Sequence, residues 1–461
     1  MSDARRATVL VRAADAGDTY LSWTWLDAPT RSNAVRLDKT VVMDVVDRLD
    51  SALLAPLAIG SDRYETKDEA TRRALLSGAF AKPDDERSLS SALTEAVFPK
   101  SLRDEIVEHS GPHRYVHLRL TPSPRLARVP WELLFVAPDR RLLDVAVVTF
   151  DPPTTVHAER TANPSTWDEV HHLPALHILD PSLPPRAVDH GFGRTLSGIA
   201  KNALLAGLAV NGSAPTGNTP LDGLNALQAI DRVGLARGLR TPRSRLFYFG
   251  HVSSTQDEPG SASIHLHDTS GVTSSDTGSW GMAEPLRPRR RSGERAPAHP
   301  DDHLPLCALD FLLGTQQCTD PNVWRIYGSD KPQSGHDIWP IPPRVALIAC
   351  EGGADFRSVE TFGLVMAMVD SGASLVTTTR WTLPTDHAFH TIAGLRKSVV
   401  PTVDLALVVD RSHAGTDPVQ SIRRWQQGQL TKWTESDGSI AHSPLIWASL
   451  TNTVAAARTP P

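Results

Sequence analysis

The spacing of hydrophobic positions divides the chain into an amino-terminal segment and a longer carboxyl-terminal part. Residues 7–12 and 20–26 are β-rich runs separated by a polar turn, which predicts a β-hairpin. Apolar residues between 38 and 54 then recur at helical spacing, and helical stretches continue to about residue 109. No chemistry can be assigned to residues 1–110. We therefore expect them to form a separate regulatory or partner-binding segment.

From about residue 114, apolar runs of strand length alternate with helical patterns, as in a sheet covered by helices. The predicted strands are 115–120, 142–149, 175–179, 245–249, 344–349 and 374–379, with a last one near 445–454. Residues 268–303 are rich in Ser, Gly, Pro and Arg, which predicts an exposed insertion loop. We therefore predict an α/β fold with a mostly parallel sheet for residues 111–461.

Composition and charge restrict the class of partner. The formal net charge of -5 lacks the basic excess that phosphate backbones require, so we expect no direct nucleic-acid partner. No stretch approaches 18 uncharged apolar residues and the amino terminus has no signal-peptide core, so we expect no membrane contact and a cytoplasmic location. Three cysteines are too few for a disulfide framework, which favours a reducing compartment.

Candidate chemistry follows two of the predicted strands. Cys350 is the first residue after strand 344–349, and His251 follows Gly250 at the end of strand 245–249. Ligands of open α/β sheets bind beyond the carboxyl ends of the strands, so a thiol and an imidazole would meet there if these strands are parallel neighbours. Such an imidazole accepts the thiol proton or stabilises the thiolate. The alternative is that Cys350 is a buried strand residue, because free cysteines are often buried.

The backbone amides of Gly250 and Cys350 are candidate donors to the oxyanion of an acyl intermediate. The spacing of Cys307 and Cys318 with His303 matches no familiar zinc pattern, so we expect no metal site. No phosphate-binding or dinucleotide-binding glycine motif is present, and we expect no cofactor.

Five motifs resemble those of CHAT domains, which belong with caspases and separases to one clan of cysteine peptidases. "FYFGHVSS" and "VALIACEGG" resemble the His and Cys motifs of this family. "RLARVPWELL" at 125–134 resembles its preceding signature, and residues 371–388 and 442–454 resemble the strands that follow its nucleophile. The resemblance covers about residues 114 to 455. It implies a caspase-like fold in which Cys350 attacks the scissile carbonyl and His251 serves as acid and base.

The resemblance also implies a context. CHAT peptidases are frequently effectors of bacterial defence or cell-death systems, so it implies a protein substrate and activation by a protein partner, an oligomer or a nucleotide signal. Val252 stands where the family usually has Gly, and the family's TPR repeats are absent. Two alternatives stay open. In the first alternative, the chain is a catalytically silent interaction module. In the second, it is a Cys-His amidase or acyl transferase with an enclosed pocket for a small substrate.

Specificity is predicted from the end of the first core strand, which often receives the substrate side chain before the scissile bond in caspase-like peptidases. Asp180 follows strand 175–179 and would bind Arg or Lys there. The alternative is that Asp180 begins a turn before Pro181. Glu351, beside the nucleophile, is a second candidate for substrate binding. If Asp180 selects basic residues, the basic run at 287–295 becomes a candidate site of autocleavage.

Overall fold

The computed structural model describes residues 7–30, 32–59, 63–112, 114–153, 156, 165–188, 192–212, 230–254, 260–271, 281–287, 296–349, 361–436 and 438–455. The strands of this part of the chain are, in order, β1 (Thr8–Ala16), β2 (Asp18–Trp25), β3 (Ser32–Leu37), β4 (Ala58–Ile59), β5 (Arg63–Tyr64), β6 (Val116–Thr121), β7 (Phe135–Ala137), β8 (Arg140–Arg141), β9 (Ala146–Phe150), β10 (Leu176–Leu179), β11 (Arg245–Gly250), β12 (Val252–Ser253), β13 (Ser263–Ile264), β14 (Leu306–Cys307), β15 (Arg344–Ala349), β16 (Leu375–Thr379) and β17 (Leu450–Val454).

The α-helices are, in order, α1 (Lys39–Ser51), α2 (Lys67–Leu76), α3 (Pro83–Val97), α4 (Lys100–His109), α5 (Leu142–Val145), α6 (Trp167–Val170), α7 (Pro185–Val188), α8 (Gly198–Val210), α9 (Arg232–Arg240), α10 (Ala308–Leu313), α11 (Pro321–Ile326), α12 (Gly335–Ile338), α13 (Thr361–Asp370), α14 (Asp386–Thr391), α15 (Pro401–Ala414), α16 (Pro418–Glu435) and α17 (Pro444–Trp447). Within the described residues, no helix is both long enough and apolar enough to cross a bilayer.

The chain divides into two compact units. The first unit consists of Met1–Pro153, Asp386–Val408 and Gly415–Val454. The second unit consists of Thr154–Thr385, Val409–Ala414 and Ala455–Pro461. His251 and Asp180 both belong to the second unit.

The sheet of the first unit contains the predicted hairpin. β1 and β2 are antiparallel neighbours joined at Gly17, whose φ of 75° suits glycine. β3 pairs with β2 on the far side, and β1 pairs with β6 in parallel. β6 pairs with β9, and β9 with β17, also in parallel. The first 110 residues therefore share a sheet with the chain that follows, and the predicted boundary at residue 110 is not an edge of that sheet.

Helix α4 is attached to this sheet through a carboxylate. The indole nitrogens of Trp23 and Trp25 donate to the Glu105 carboxylate at 3.0 and 2.6 Å. The Trp25 ring also stacks on His109, with the ring centres 3.9 Å apart. Hydrogen bonds to a charged acceptor are stronger than neutral ones, so Glu105 contributes to holding the helix on the strands.

The second unit is built on a parallel sheet in the order β10, β11, β15, β16. Every residue of β11 and β15 is buried, as in parallel sheets covered by helices on both faces. The strands of the two units are mostly parallel and alternate with helices, so the predicted α/β fold class is confirmed. The predicted strands 245–249 and 344–349 are confirmed within one residue.

Two predicted strands are wrong in part. Residues 142–145 form α5, and β9 begins only at Ala146. The Asp144 carboxylate accepts from the backbone N–H of Arg141 at 2.8 Å, which caps the short helix. Near the end of the chain, Ser443 caps the helix α17, and the strand is limited to β17. Strand β3 was not predicted.

Candidate active site

The parallel register brings the two candidate strand ends to one edge of the sheet. β11 pairs with β15 so that Gly250 lies opposite Ala349. Adjacent strands are about 4.8 Å apart, so these two backbones are direct neighbours. His251 follows Gly250 in the sequence, and Cys350 follows Ala349. Cys350 and Glu351 lie outside the described residues, so the contact between Cys350 and His251 stays a prediction.

Neighbouring groups fix the end of β15. The backbone N–H of Ala349 donates to the Thr379 hydroxyl at 3.1 Å. The carbonyl of Ala349 accepts from the backbone N–H of Leu383, also at 3.1 Å. Both backbone polar groups of Ala349, the residue before Cys350, are therefore hydrogen-bonded, one to the end of β16 and one to the segment that follows β16.

The ring of His251 is buried and oriented by a backbone carbonyl. Residue His251 is only 3% exposed, and its Nε2 lies 2.6 Å from the carbonyl oxygen of Gly193. A carbonyl oxygen only accepts, so Nε2 carries the hydrogen, and Nδ1 carries the lone pair when the ring is neutral. The Phe192 ring packs edge-on against the imidazole at 5.3 Å. Nδ1 is therefore the basic atom that this arrangement provides.

A buried tyrosine holds the backbone at His251. The Tyr248 hydroxyl donates to the carbonyl of His251 at 2.7 Å and accepts from the N–H of His265 at 3.2 Å. A Cβ on Gly250 would lie 2.8 Å from this hydroxyl oxygen, closer than real Cβ atoms approach. Glycine at 250 is therefore required for the phenol to reach the turn that carries His251. The predicted role of the Gly250 amide as an oxyanion donor stays a prediction.

A second pair of histidines lies beside this ring. Nδ1 of His265 is 2.9 Å from Nε2 of His303, and Nε2 of His265 is 2.8 Å from the Ser253 hydroxyl. The centres of the His265 and His251 rings are 6.4 Å apart. Burial, followed by the nearby His303 and His251, holds the pKa of His265 well below its usual range. His265 is therefore neutral at physiological pH.

The contact between these two histidines is not predicted from the sequence. In the sequence, His303 was considered only for a zinc site with Cys307 and Cys318, and His265 was given no role in a site. They are 38 positions apart, and only the fold brings them together. Among the described residues, no group of three or more His, Cys, Asp or Glu side chains is arranged to hold a metal ion.

Asp180 lies at the end of β10, next to the strand that carries His251. Its backbone N–H donates to the carbonyl of Phe249 at 2.7 Å. Its carboxylate accepts from the Thr195 N–H at 2.9 Å, the Thr195 hydroxyl at 2.6 Å and the Leu196 N–H at 3.3 Å. Nη1 of Arg194 lies 3.6 Å from the same carboxylate. The carboxylate is thus held by residues 15 and 16 positions further along the chain, and both the turn at Pro181 and the contact with substrate stay predictions.

Cys307 and Cys318 are the two cysteines among the described residues, and neither is the predicted nucleophile. Cys307 is buried, and burial followed by the nearby Asp310 raises the pKa of its thiol to about 12. It is therefore protonated at neutral pH and a poor nucleophile. Cys318 is partly exposed, with its sulfur 4.0 Å from the carbonyl of Asp320.

The predicted insertion, residues 268–303, is buried at both ends. Asp268 is 1% exposed and Asp302 is 0% exposed. Nε of Arg186 donates to the Asp302 carboxylate at 2.9 Å. The prediction of an exposed loop is therefore wrong at these ends, because carboxylates fix them in the interior. Of the predicted autocleavage run 287–295, residues 288–295 lie outside the described residues.

Comparison with known proteins gave structural similarity alone. No family model matches the chain, and no curated protein matches it. The chain is similar to the Saccharomyces cerevisiae separase-securin complex solved at 3.0 Å, with a TM-score of 0.43 and 9% identity. The same complex solved at 2.6 Å gives a TM-score of 0.38 and 10% identity. In both cases the match covers 97% of this chain and 30% of the other chain.

Proposed function

We propose that this chain is a cysteine endopeptidase of the CHAT type, with Cys350 as nucleophile and His251 as acid and base. The observation that carries the proposal is the register of β11 and β15, in which Gly250 lies opposite Ala349. The residues that follow them are the imidazole and the thiol of the two resembling motifs. Parallel strands deliver such residues to one edge, where substrates of open α/β sheets bind.

The geometry of His251 determines its part in the reaction. With Nε2–H donated to Gly193, Nδ1 takes the proton of the Cys350 thiol. The thiolate then attacks the carbonyl carbon of the scissile amide, a C–S bond forms, and the π electrons move to oxygen. Backbone N–H groups, for which Gly250 and Cys350 are our candidates, stabilise that oxyanion.

The tetrahedral intermediate collapses with the help of the same ring. Nδ1–H protonates the amide nitrogen as the C–N bond breaks, which leaves a thioester on Cys350. Nδ1 next accepts a proton from water, and the hydroxide attacks the thioester carbonyl. The C–S bond breaks, the acid product leaves, and the proton returns to the thiolate. No cofactor takes part in this sequence.

The substrate and the biological setting are proposals by resemblance. We propose a protein substrate, with Glu351 as the candidate for contacts to it, and a regulated role in bacterial defence or cell death. An activating protein partner or oligomer belongs to the same proposal. We also propose that residues 1–110 are a regulatory or partner-binding segment of the peptidase part, residues 111–461, with which they share a sheet through β1 and β6.

A thiol titration tests the dyad without knowledge of the substrate or the activator. Cys318 is changed to Ser, the buried Cys307 is kept, and the rate of Cys350 alkylation by iodoacetamide is measured against pH with mass spectrometry. We expect reaction to extend well below the ordinary thiol pKa of about 8.5, and His251→Ala to shift the profile back towards that value. The same ordinary profile in both proteins contradicts the dyad.

A peptide library then tests the reaction. Cleavage by the Cys318→Ser protein, lost in Cys350→Ala and reduced about 10²- to 10⁴-fold in His251→Ala, supports the endopeptidase. Hydrolysis of small amides without cleavage of peptides favours the amidase. A reactive dyad that turns over neither class favours the interaction module.

A further inference from the structure

The loop that orients His251 is fixed by a residue on another strand. We propose that Asp180 is a positioning residue for His251, acting through the loop Gly193–Leu196. This inference rests on the proposed function, since it assigns a role in the reaction of the same dyad. It replaces substrate recognition by Asp180 with a role inside the protein.

The position of Asp180 relative to His251 is set by the sheet. β10 pairs with β11 in parallel from Leu176 opposite Leu246 to Leu179 opposite Phe249. The N–H of Asp180 continues this pairing, since it donates to the Phe249 carbonyl at 2.7 Å. The carboxylate therefore starts from a backbone that is hydrogen-bonded to Phe249, two residues before His251.

The carboxylate then holds the loop by three hydrogen bonds. Oδ1 accepts from the N–H and the hydroxyl of Thr195, and Oδ2 accepts from the N–H of Leu196. The φ of Asp180 is 49°, a left-handed conformation that aspartate adopts more readily than most residues. Thr195 is two residues beyond Gly193, so this attachment restricts where the Gly193 carbonyl can lie.

The Gly193 carbonyl in turn determines which nitrogen of His251 is basic. It is 2.6 Å from Nε2 and receives the hydrogen of that nitrogen. If the loop moves, the ring loses the contact that fixes both its tautomer and its orientation. Nδ1 then no longer presents its lone pair to the thiol in a constant geometry. A misplacement of about 1 Å can lower a rate about 10²-fold.

The burial of Asp180 argues against a direct contact with substrate. Its side chain is 5% exposed, and Arg194, itself 53% exposed, already provides a cation 3.6 Å away. A substrate guanidinium would have to displace this arginine and compete with three internal donors. Positioning and recognition therefore predict different effects of the same substitutions.

The experiment uses the full chain with Cys318→Ser and adds Asp180→Asn, Thr195→Val or Thr195→Ser. Each protein is assayed for the pH profile of Cys350 alkylation and for kcat and KM on several cleaved peptides. We expect Thr195→Val to lower kcat about 10- to 100-fold for every peptide, because it removes a hydrogen bond to a charged acceptor. KM should stay near the parent value, and Thr195→Ser should restore kcat.

Asp180→Asn should lower kcat for all peptides alike and should move the alkylation profile towards that of His251→Ala. Asp231→Asn is the matched control, since Asp231 caps α9 through the N–H of Gly234 at 2.6 Å in the same unit. It should lower thermal stability without moving the alkylation profile. If Asp180→Asn does not fold, the comparison of Thr195→Val with Thr195→Ser still tests whether the loop positions His251.

Three results overturn the inference. The first is equal kcat and equal alkylation profiles for Thr195→Val and Thr195→Ser. The second is a loss confined to cleavage after Arg or Lys in Asp180→Asn with an unchanged profile, which assigns substrate recognition instead. The third is an unchanged profile in His251→Ala, which removes the proposed function itself and so differs from a failure of positioning alone.

Discussion

A methyl group at position 250 is the sharpest test of the packing that holds His251. In Gly250→Ala the new carbon would lie 2.8 Å from the Tyr248 hydroxyl oxygen, 2.9 Å from its Cζ and 3.1 Å from Cδ of Pro181. Tyr248 is 0% exposed, so its ring cannot turn into solvent. Either the phenol or the backbone at 250 must shift. Each shift strains the hydrogen bond from Tyr248 to the carbonyl of His251.

Two contributions give the magnitude. Extra volume in a packed interior costs about 1–3 kcal/mol. A weakened hydrogen bond adds about 1 kcal/mol. We therefore expect Gly250→Ala to lower the free energy of unfolding of the second unit by roughly 2–4 kcal/mol. Because His251 moves with its backbone, alkylation of Cys350 near neutral pH should also slow.

The assay is urea unfolding of four proteins: the parent, Gly250→Ala, Tyr248→Phe and the double variant. Tyr248→Phe removes the closest atom, so the double variant should be more stable than the sum of the single effects by about 0.5–3 kcal/mol. Gly198→Ala is the matched control, because a Cβ there meets nothing within 4 Å. It should change stability by less than about 1 kcal/mol. Gly250→Ala with parental stability and parental alkylation would refute the reasoning, as would strict additivity.

Two further predictions concern the rest of the chain. Removing residues 1–110 should give insoluble or unfolded protein, because β1 hydrogen-bonds along β6 and the buried apolar side chains that are lost contribute about 1.5–3 kcal/mol each against a total of about 5–15 kcal/mol. Recovery of a folded, reactive truncated chain, judged by circular dichroism and Cys350 alkylation, would contradict this and favour a separate amino-terminal segment. Burial, with the nearby Arg344 and Arg245, lowers the pKa of His413 from 6.5 to about 3. The unfolded chain therefore binds more protons than the folded chain as the pH falls below 6.5. Stability should therefore fall by about 2 kcal/mol between pH 7 and pH 5 through this group, a slope absent from His413→Gln in urea unfolding at both pH values.

The strand ends could be predicted because their chemistry is local. A buried strand is a short apolar run, and a polar residue directly after it is conspicuous, as at His251 and Asp180. The same criterion does not distinguish a helix from a strand in a short apolar run. Leu142, Leu143 and Val145 are apolar and buried in a helix as they would be in a strand, and the helix is distinguished by the cap that the Asp144 carboxylate forms. Local patterns therefore find buried segments more reliably than they classify short ones.

The groups around His251 could not be predicted, because they come from distant parts of the chain. Gly193 precedes His251 by 58 positions, and nothing in its sequence neighbourhood marks its carbonyl as a partner of the imidazole. Asp180 was identified with two alternatives, a turn or a specificity residue, and the sequence offers no means to choose. The contacts of its carboxylate with Thr195 and Leu196 belong to neither alternative, and these residues are 15 and 16 positions away, so no local pattern marks them.

The register of the parallel sheet thus determines which residues of the proposed active site lie at one edge of the sheet. Asp180 is held by the backbone of Phe249, and Gly250 is aligned with Ala349, so three successive strand ends depend on two pairings. A shift of one residue in a strand turns its side chains to the opposite face, so in β11 and β15, which are buried on both faces, it would exchange side chains of different size between two packed layers. The buried faces of β11 and β15 therefore resist any shift that would separate the residues beyond them. It follows that the sheet sets which residues meet at this edge, whereas the loop Gly193–Leu196 sets the orientation of the ring. Substitutions in the loop should change the rate without unfolding the unit, and substitutions that enlarge the strand interior should change both together.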